Sequence, residues 1–125
     1  MRDMITMITV SDMDRSVRFY RDILGLAFIA QYDPPGLAFF RIGTTRLLLE
    51  KSNSGKPSDA VLYFEVPDID KAHDALKEKG IHFDSAPHLI FPDDAGTFGP
   101  PGEEEWMAFF KDNDGRPLGI MSQAK

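Results

Sequence analysis

The chain has 125 residues, 42% of them hydrophobic and 27% charged, with a net charge of −6 and no cysteine. That length suits one compact domain, and the acidic balance without a basic stripe excludes a nucleic-acid binder, since phosphate recognition needs clustered Lys and Arg. The missing cysteines exclude disulfides, thiolate metal sites and cysteine nucleophiles, and fit a reducing, cytoplasmic setting.

The run MITMITV, Met4 to Val10, mixes apolar and β-branched residues in short alternation and predicts a strand. It is preceded by Arg2 and Asp3, which is no signal-peptide pattern. Asp12 stands where an N-cap belongs, with Met13, Val17, Tyr20 and Leu24 at helical spacing and Gly25 as the stop. AFIAQY from Ala27, LAFFRI from Leu37 and RLLLE from Arg46 read as strands, punctuated by DPPG and GTT turns. The order is βαβββ. SNSGKPS, residues 52–58, then reads as a small polar linker.

AVLYFEV, Ala60 to Val66, predicts the next strand; Asp68 is a second N-cap, and Ile69, Ala72 and Leu76 form the stripe of a helix ending at Gly80. IHF at 81–83 is short and strand-like, WMAFFK at 106–111 and PLGIM at 117–121 are strands, and DNDG at 112–115 is a turn. The turn is not a calcium loop, because the remaining ligand positions are absent. The order is βαβββ again, provided the less regular stretch between Phe83 and Trp106 hides one strand. Val10, Asp12 and Asp14 recur 56 residues on as Val66, Asp68 and Asp70, and AFFR at 38–41 recurs as AFFK at 108–111. This is an internal duplication, with module 1 at about 4–51 and module 2 at about 59–122. The halves differ at PHLIFPDDAGTFGPPGEEE, residues 87–105, an insertion that reads either as a lid or as a surface loop. No apolar run approaches the ~20 residues of a membrane span.

The pattern V-S-D-M-D-R-S-V-R-F-Y-R-D-I-L-G-L, the doubled βαβββ order and the closing F-F-K-D-N-D-G-R-P-L resemble the vicinal oxygen chelate superfamily. That family includes glyoxalase I, bleomycin-resistance proteins, fosfomycin-resistance enzymes and extradiol dioxygenases. The resemblance implies an α+β fold of two tandem βαβββ modules whose curved mixed sheet surrounds a cavity, and a homodimer, as in many relatives. It also places the family's metal ligands at Ile5, Leu48, Val61 and Gly119, none of which carries a donor for a divalent ion. No cofactor is expected, and a divalent metal could enter only through relocated ligands.

Strand parity assigns faces independently. Leu62, Phe64 and Val66 suit a helix-covered face, leaving Val61, Tyr63 and Glu65 opposite; Leu47 and Leu49 oppose Arg46, Leu48 and Glu50, and Leu118 and Ile120 oppose Gly119 and Met121. Phe39 and Arg41 correspond to Phe109 and Lys111, with Met107 and Glu105 on the same side. The candidate ligand-binding residues are therefore Phe39, Arg41, Leu48, Tyr63, His88, Met107, Phe109 and Met121. Plain core packing is the rival for such Met and Phe residues.

His88 reads as a general base, a ligand-orienting donor or a metal ligand, or as a hydrogen-bonded structural residue. Glu50 and Glu105 could join it as catalytic groups or relocated metal ligands, or Glu103–Glu105 could be a solvated acidic run. His73 reads as half-exposed packing, and Trp106 as facing the helices or a dimer contact. Three functions follow: a pocket protein that binds or sequesters an organic ligand, a metal-dependent glyoxalase-like lyase or extradiol-type dioxygenase using His88, Glu50 and Glu105, and an accessory protein whose cavity its own side chains fill.

Overall fold

Asp12 and Asp68 cap two helices in the same way. Their backbones are extended, at φ −135° and −141°, and each side chain accepts an amide three residues on, from Arg15 and Lys71, at 3.1 Å. A carboxylate there satisfies a first-turn donor that the helix leaves unpaired. Gly25 and Gly80 follow the two helical segments at φ 73° and 95°, the left-handed conformation expected of a helix stop.

The computed structural model describes residues 1–123. In chain order its elements are β1 (Ile5–Val10), α1 (Met13–Arg18), β2 (Ala27–Tyr32), β3 (Leu37–Ile42) and β4 (Thr45–Lys51). They continue with β5 (Leu62–Glu65), α2 (Ile69–Glu78), β6 (His88–Asp93), β7 (Glu103–Lys111) and β8 (Pro117–Ser122). The doubled βαβββ order is thus present. Two compact units emerge: Met1–Ala60 with Asp112–Arg116, and Val61–Lys111 with Pro117 onward.

In the first unit the strand order is β1-β4-β3-β2. β1 runs parallel to β4, from Ile5 beside Arg46 to Val10 beside Lys51, and the other pairs are antiparallel. One face is buried by Ile8, Val10, Ala38, Phe40, Leu47 and Leu49, against Met13, Val17 and Tyr20 of the helical segment. Each Val, Leu, Ile, Phe or Met among them contributes about 1.5–3 kcal/mol of apolar burial. The single helix expected from Asp12 to Gly25 is instead α1 followed by a π-helical turn, Phe19–Ile23. The widened turn carries Tyr20, whose ring is fully buried and whose hydroxyl donates to Asp112 at 2.7 Å.

Asp112 is the hub of a buried polar knot in this unit. Its Oδ2 accepts from Tyr20 and from Arg116 Nη1 at 2.5 Å, and its Oδ1 from the amides of Asp114 and Arg116 at 2.9 and 3.0 Å. Four donors saturate the carboxylate. Arg116 also donates through Nη2 to the Thr9 carbonyl and through Nε to the Ser58 carbonyl. Burial, then the Asp112 charge, raises the Tyr20 phenol well above its usual range. Burial pulls Arg116 down, but Asp112 and Tyr20 outweigh it and keep the guanidinium charged. Residues 112–115 are therefore the expected turn, with Gly115 at φ 77°, and their carboxylates are spent on protein donors, Asp114 on Ser11 included.

The segment expected as a linker is tied down. Ser58 Oγ accepts the Thr9 amide at 2.9 Å, and the Ser52 amide donates to Val10 at the same distance. In the second unit the strand order is β5-β8-β7-β6, again parallel between first and last strands. Residues 81–83 are not a strand: Phe83 turns inward, 5.3 Å from the Phe110 ring and 4.2 Å from His73, centroid to centroid. His73 is consequently buried, at 8% exposure, rather than half-exposed. The missing strand is β6, inside the presumed insertion, and β7 reaches back to Glu103, so the true loop shrinks to residues 94–102. β6 is an edge strand, which tolerates Pro92, and a bulge sets Ile90 outside the ladder.

Candidate functional site

Each sheet leaves its second face open, and that face carries the candidate residues. In the second unit, register places Tyr63 beside Gly119, Gly119 beside Phe109, Met107 between His88 and Met121, and Glu105 beside Phe91. Directly paired residues share a face, so Tyr63, His88, Met107, Phe109 and Met121 lie together as parity required. Tyr63 meets Phe109 edge-on at 6.0 Å and is 50% exposed; His88 tilts against the other side of Phe109 at 5.9 Å. Among the described residues the His88 side chain makes that ring contact and no hydrogen bond.

Gly119 lies beneath these rings. A Cβ built there would come within 2.9 Å of Tyr63 Cδ1 and 3.3 Å of Phe109 Cδ1. Aromatic carbon thus occupies the space that a coordinating side chain at position 119 would need. Together with Ile5, Leu48 and Val61, none of which offers a donor atom, this shows that the residues do not fit the metal of the fold family.

Among the described residues no three His, Cys, Asp or Glu side chains gather where an ion could be held. Along β7, Glu105 faces Phe91 whereas His88 faces Met107, two residues further. Glu105 is not part of a solvated run. It is 4% exposed, its Oε2 has no hydrogen-bond partner among the described residues, and its pKa is raised, first by burial and then by the charges of Asp93 and Glu65. A carboxyl whose folded pKa is raised favours the native state while protonated, and that contribution is lost as pH climbs from about 4.5 through the raised value. Glu105→Gln should therefore raise the melting temperature at pH 7–8 and flatten this decline. An unchanged melting curve across pH 4–8 would contradict it.

Asp93 organises the neighbouring loop. Its carboxylate accepts the amides of Thr97 and Phe98 at 2.8 and 2.9 Å and Gln123 Nε2 at 2.7 Å, while its carbonyl accepts Gly96 and Gly102. Phe98 stands exposed on this loop, 6.0 Å from Phe91. Trp106 is half-buried on the same side of β7 as buried Ala108 and Phe110, as expected.

In the first unit the open face carries Ile5 and Met7, each about half exposed, with Phe39, Arg41, Arg46, Leu48 and Glu50. A cavity of about 210 Å³ is lined by Ile29, Ala30, Tyr32, Phe39, Arg41 and Arg46. A second, of about 320 Å³, is lined by Asp3, Met4, Ile5, Thr44 and Arg46. Phe39 and Arg41, singled out from the sequence, line the first of these cavities; Ile29 and Tyr32 line it too but were not singled out, although AFIAQY reads as a strand. Tyr32 meets Phe39 edge-on at 6.1 Å. No helix among the described residues is long and apolar enough to cross a membrane.

Comparison with known proteins agrees with this fold. The family model for the Glyoxalase/Bleomycin resistance protein/Dioxygenase superfamily matches residues 4–119. Protein YraH of Bacillus subtilis (strain 168) is 34% identical over 95 residues, which span 65% of this chain and 74% of YraH. TnmS3, an antibiotic binding protein from Streptomyces sp. CB03234, superposes with a TM-score of 0.75 at 18% identity over 99% of this chain and 97% of its own. Lactoylglutathione lyase from Agrobacterium tumefaciens does so with a TM-score of 0.70 at 21% identity, over 95% and 91%. Doubled caps, doubled sheets and a family match spanning almost the whole chain make this protein a member of the glyoxalase/bleomycin resistance protein/dioxygenase superfamily.

Proposed function

We propose that this protein binds or sequesters a small organic ligand on its open sheet faces and does so without a metal ion. The observation that carries the reading is Gly119 roofed by Tyr63 and Phe109, because it replaces the family's ligand position with an aromatic platform. Exposed rings beside flexible methionines, Met107 and Met121, suit a flat or cyclic apolar body. The similarity in fold to an antibiotic binding protein points to the same chemical class. The lyase or dioxygenase reading needs donors that Ile5, Leu48, Val61 and Gly119 lack, so we place it second.

Loop 94–102, hinged on Asp93, is the segment we propose to cover the ligand, and we take the working form to be a homodimer, as the family resemblance implies. The test is a thermal-shift screen of cyclic and aromatic compounds in excess chelator, with light scattering for the oligomeric state. Concentration-dependent stabilisation should appear, with slowed hydrogen exchange in residues 94–102. A screen in which no compound stabilises the protein until metal is added would reverse the ranking of the two readings.

A further inference from the structure

Arg41 and Arg46 are directly opposed across the antiparallel β3–β4 pair, on the open face of the first sheet. Like charges so placed stand only about 4.5–5.5 Å apart at Cβ and destabilise the pair. Among the described residues neither arginine has an ion-pair or hydrogen-bond partner. Both nevertheless line the 210 Å³ cavity, beside Tyr32, Phe39 and Ile29. In a chain of net charge −6, two unneutralised guanidiniums at one end of an aromatic-walled hollow make a local positive site.

We infer that this hollow binds a small aromatic carboxylate. This rests on the reading of the open faces as ligand surfaces and specifies the ligand's charge and size. The planar guanidinium fork matches a carboxylate in bidentate geometry, which an ammonium would not. Tyr32 and Phe39 supply ring faces and edges for the apolar body. The hollow is small and open to solvent, which suits a single-ring compound. The polarity of the face sets its direction. Glu50 lies four residues from Arg46 along β4, about 13 Å away at strand spacing, and would repel a carboxylate at that end. Asp3, in the adjoining hollow, has its pKa held below the usual value, first by the hydrogen bond from the Met4 amide. It stays ionised there and biases an anion towards the Arg41 side.

Titration with benzoate and with its neutral isostere benzamide, followed by amide chemical shifts, tests the inference. Benzoate should bind at least tenfold more tightly, weaken as salt rises, and shift amides in residues 29–32, 39–41 and 46. Arg41→Gln with Arg46→Gln should abolish the preference for benzoate; both side chains are exposed, so the fold should persist, as the unshifted remainder of the spectrum will report. Equal binding of both probes would overturn the carboxylate site while leaving the ligand-surface reading intact. Failure of benzoate to bind at millimolar concentration would also overturn it. If the chelated screen found no ligand either, both would fall.

Discussion

Replacing Asp112 by alanine should destabilise the protein by about 3–5 kcal/mol, the usual cost of breaking a buried ion pair on one side. The side chains of Asp112 and Arg116 are essentially inaccessible, and the same carboxylate holds Tyr20 and two turn amides. Removing it leaves a guanidinium, a phenol and two amides buried with fewer acceptors than donors. Tyr20→Phe should cost only about 1 kcal/mol, since it deletes a single hydrogen bond and keeps the ring. Guanidinium unfolding of the two variants measures both. A loss below 1 kcal/mol for Asp112→Ala would show that the knot contributes little, whatever its geometry.

Phe109→Ala should weaken binding of the best organic ligand from the screen about ten- to hundredfold, since losing a ring contact of 1.5–3 kcal/mol translates to that range in Kd. Phe109 is the ring shared by Tyr63 and His88, so its removal disperses the platform rather than trimming one edge. It is half-buried and faces away from Ala108 and Phe110, which form the core, so folding should survive. Isothermal titration of wild type and variant gives the ratio. An unchanged Kd would remove the second sheet from the binding surface and leave only the first.

Much of this architecture was legible because it is written twice. The Asp12 and Asp68 caps, the recurring AFF triplet and the short β-rich runs RLLLE and PLGIM each specify a local geometry that tertiary structure then keeps. The misreadings have physical causes. β6 lost its period because the bulge at Ile90 breaks the alternation and Pro92 mimics a loop. The π-helical turn at Phe19–Ile23 preserves apolar spacing almost perfectly, so sequence periodicity does not separate it from an α-helix.

The site divides in the same way. Parity placed Phe39, Tyr63, Met107 and Phe109 on open faces, because side-chain alternation is a local property. Parity put Glu105 on the face of Met107 and Phe109, but its burial was hidden, since in sequence it is the third of three glutamates. Arg116 was likewise unreadable: it follows a turn glycine, as solvated arginines do, yet it closes a network with Tyr20, 96 residues earlier in the chain.

The central proposal is that this member of the superfamily binds a small organic ligand on its open sheet faces without a metal ion. Its most direct test is elemental analysis after equilibration with nickel, zinc and manganese and removal of free ion, paired with the hemithioacetal isomerase assay of methylglyoxal and glutathione. The account predicts far less than one ion per chain, no turnover above background, and undiminished organic-ligand binding in excess chelator. One bound ion per chain with chelator-sensitive turnover, lost on mutating His88 or Glu50 to alanine, would contradict it.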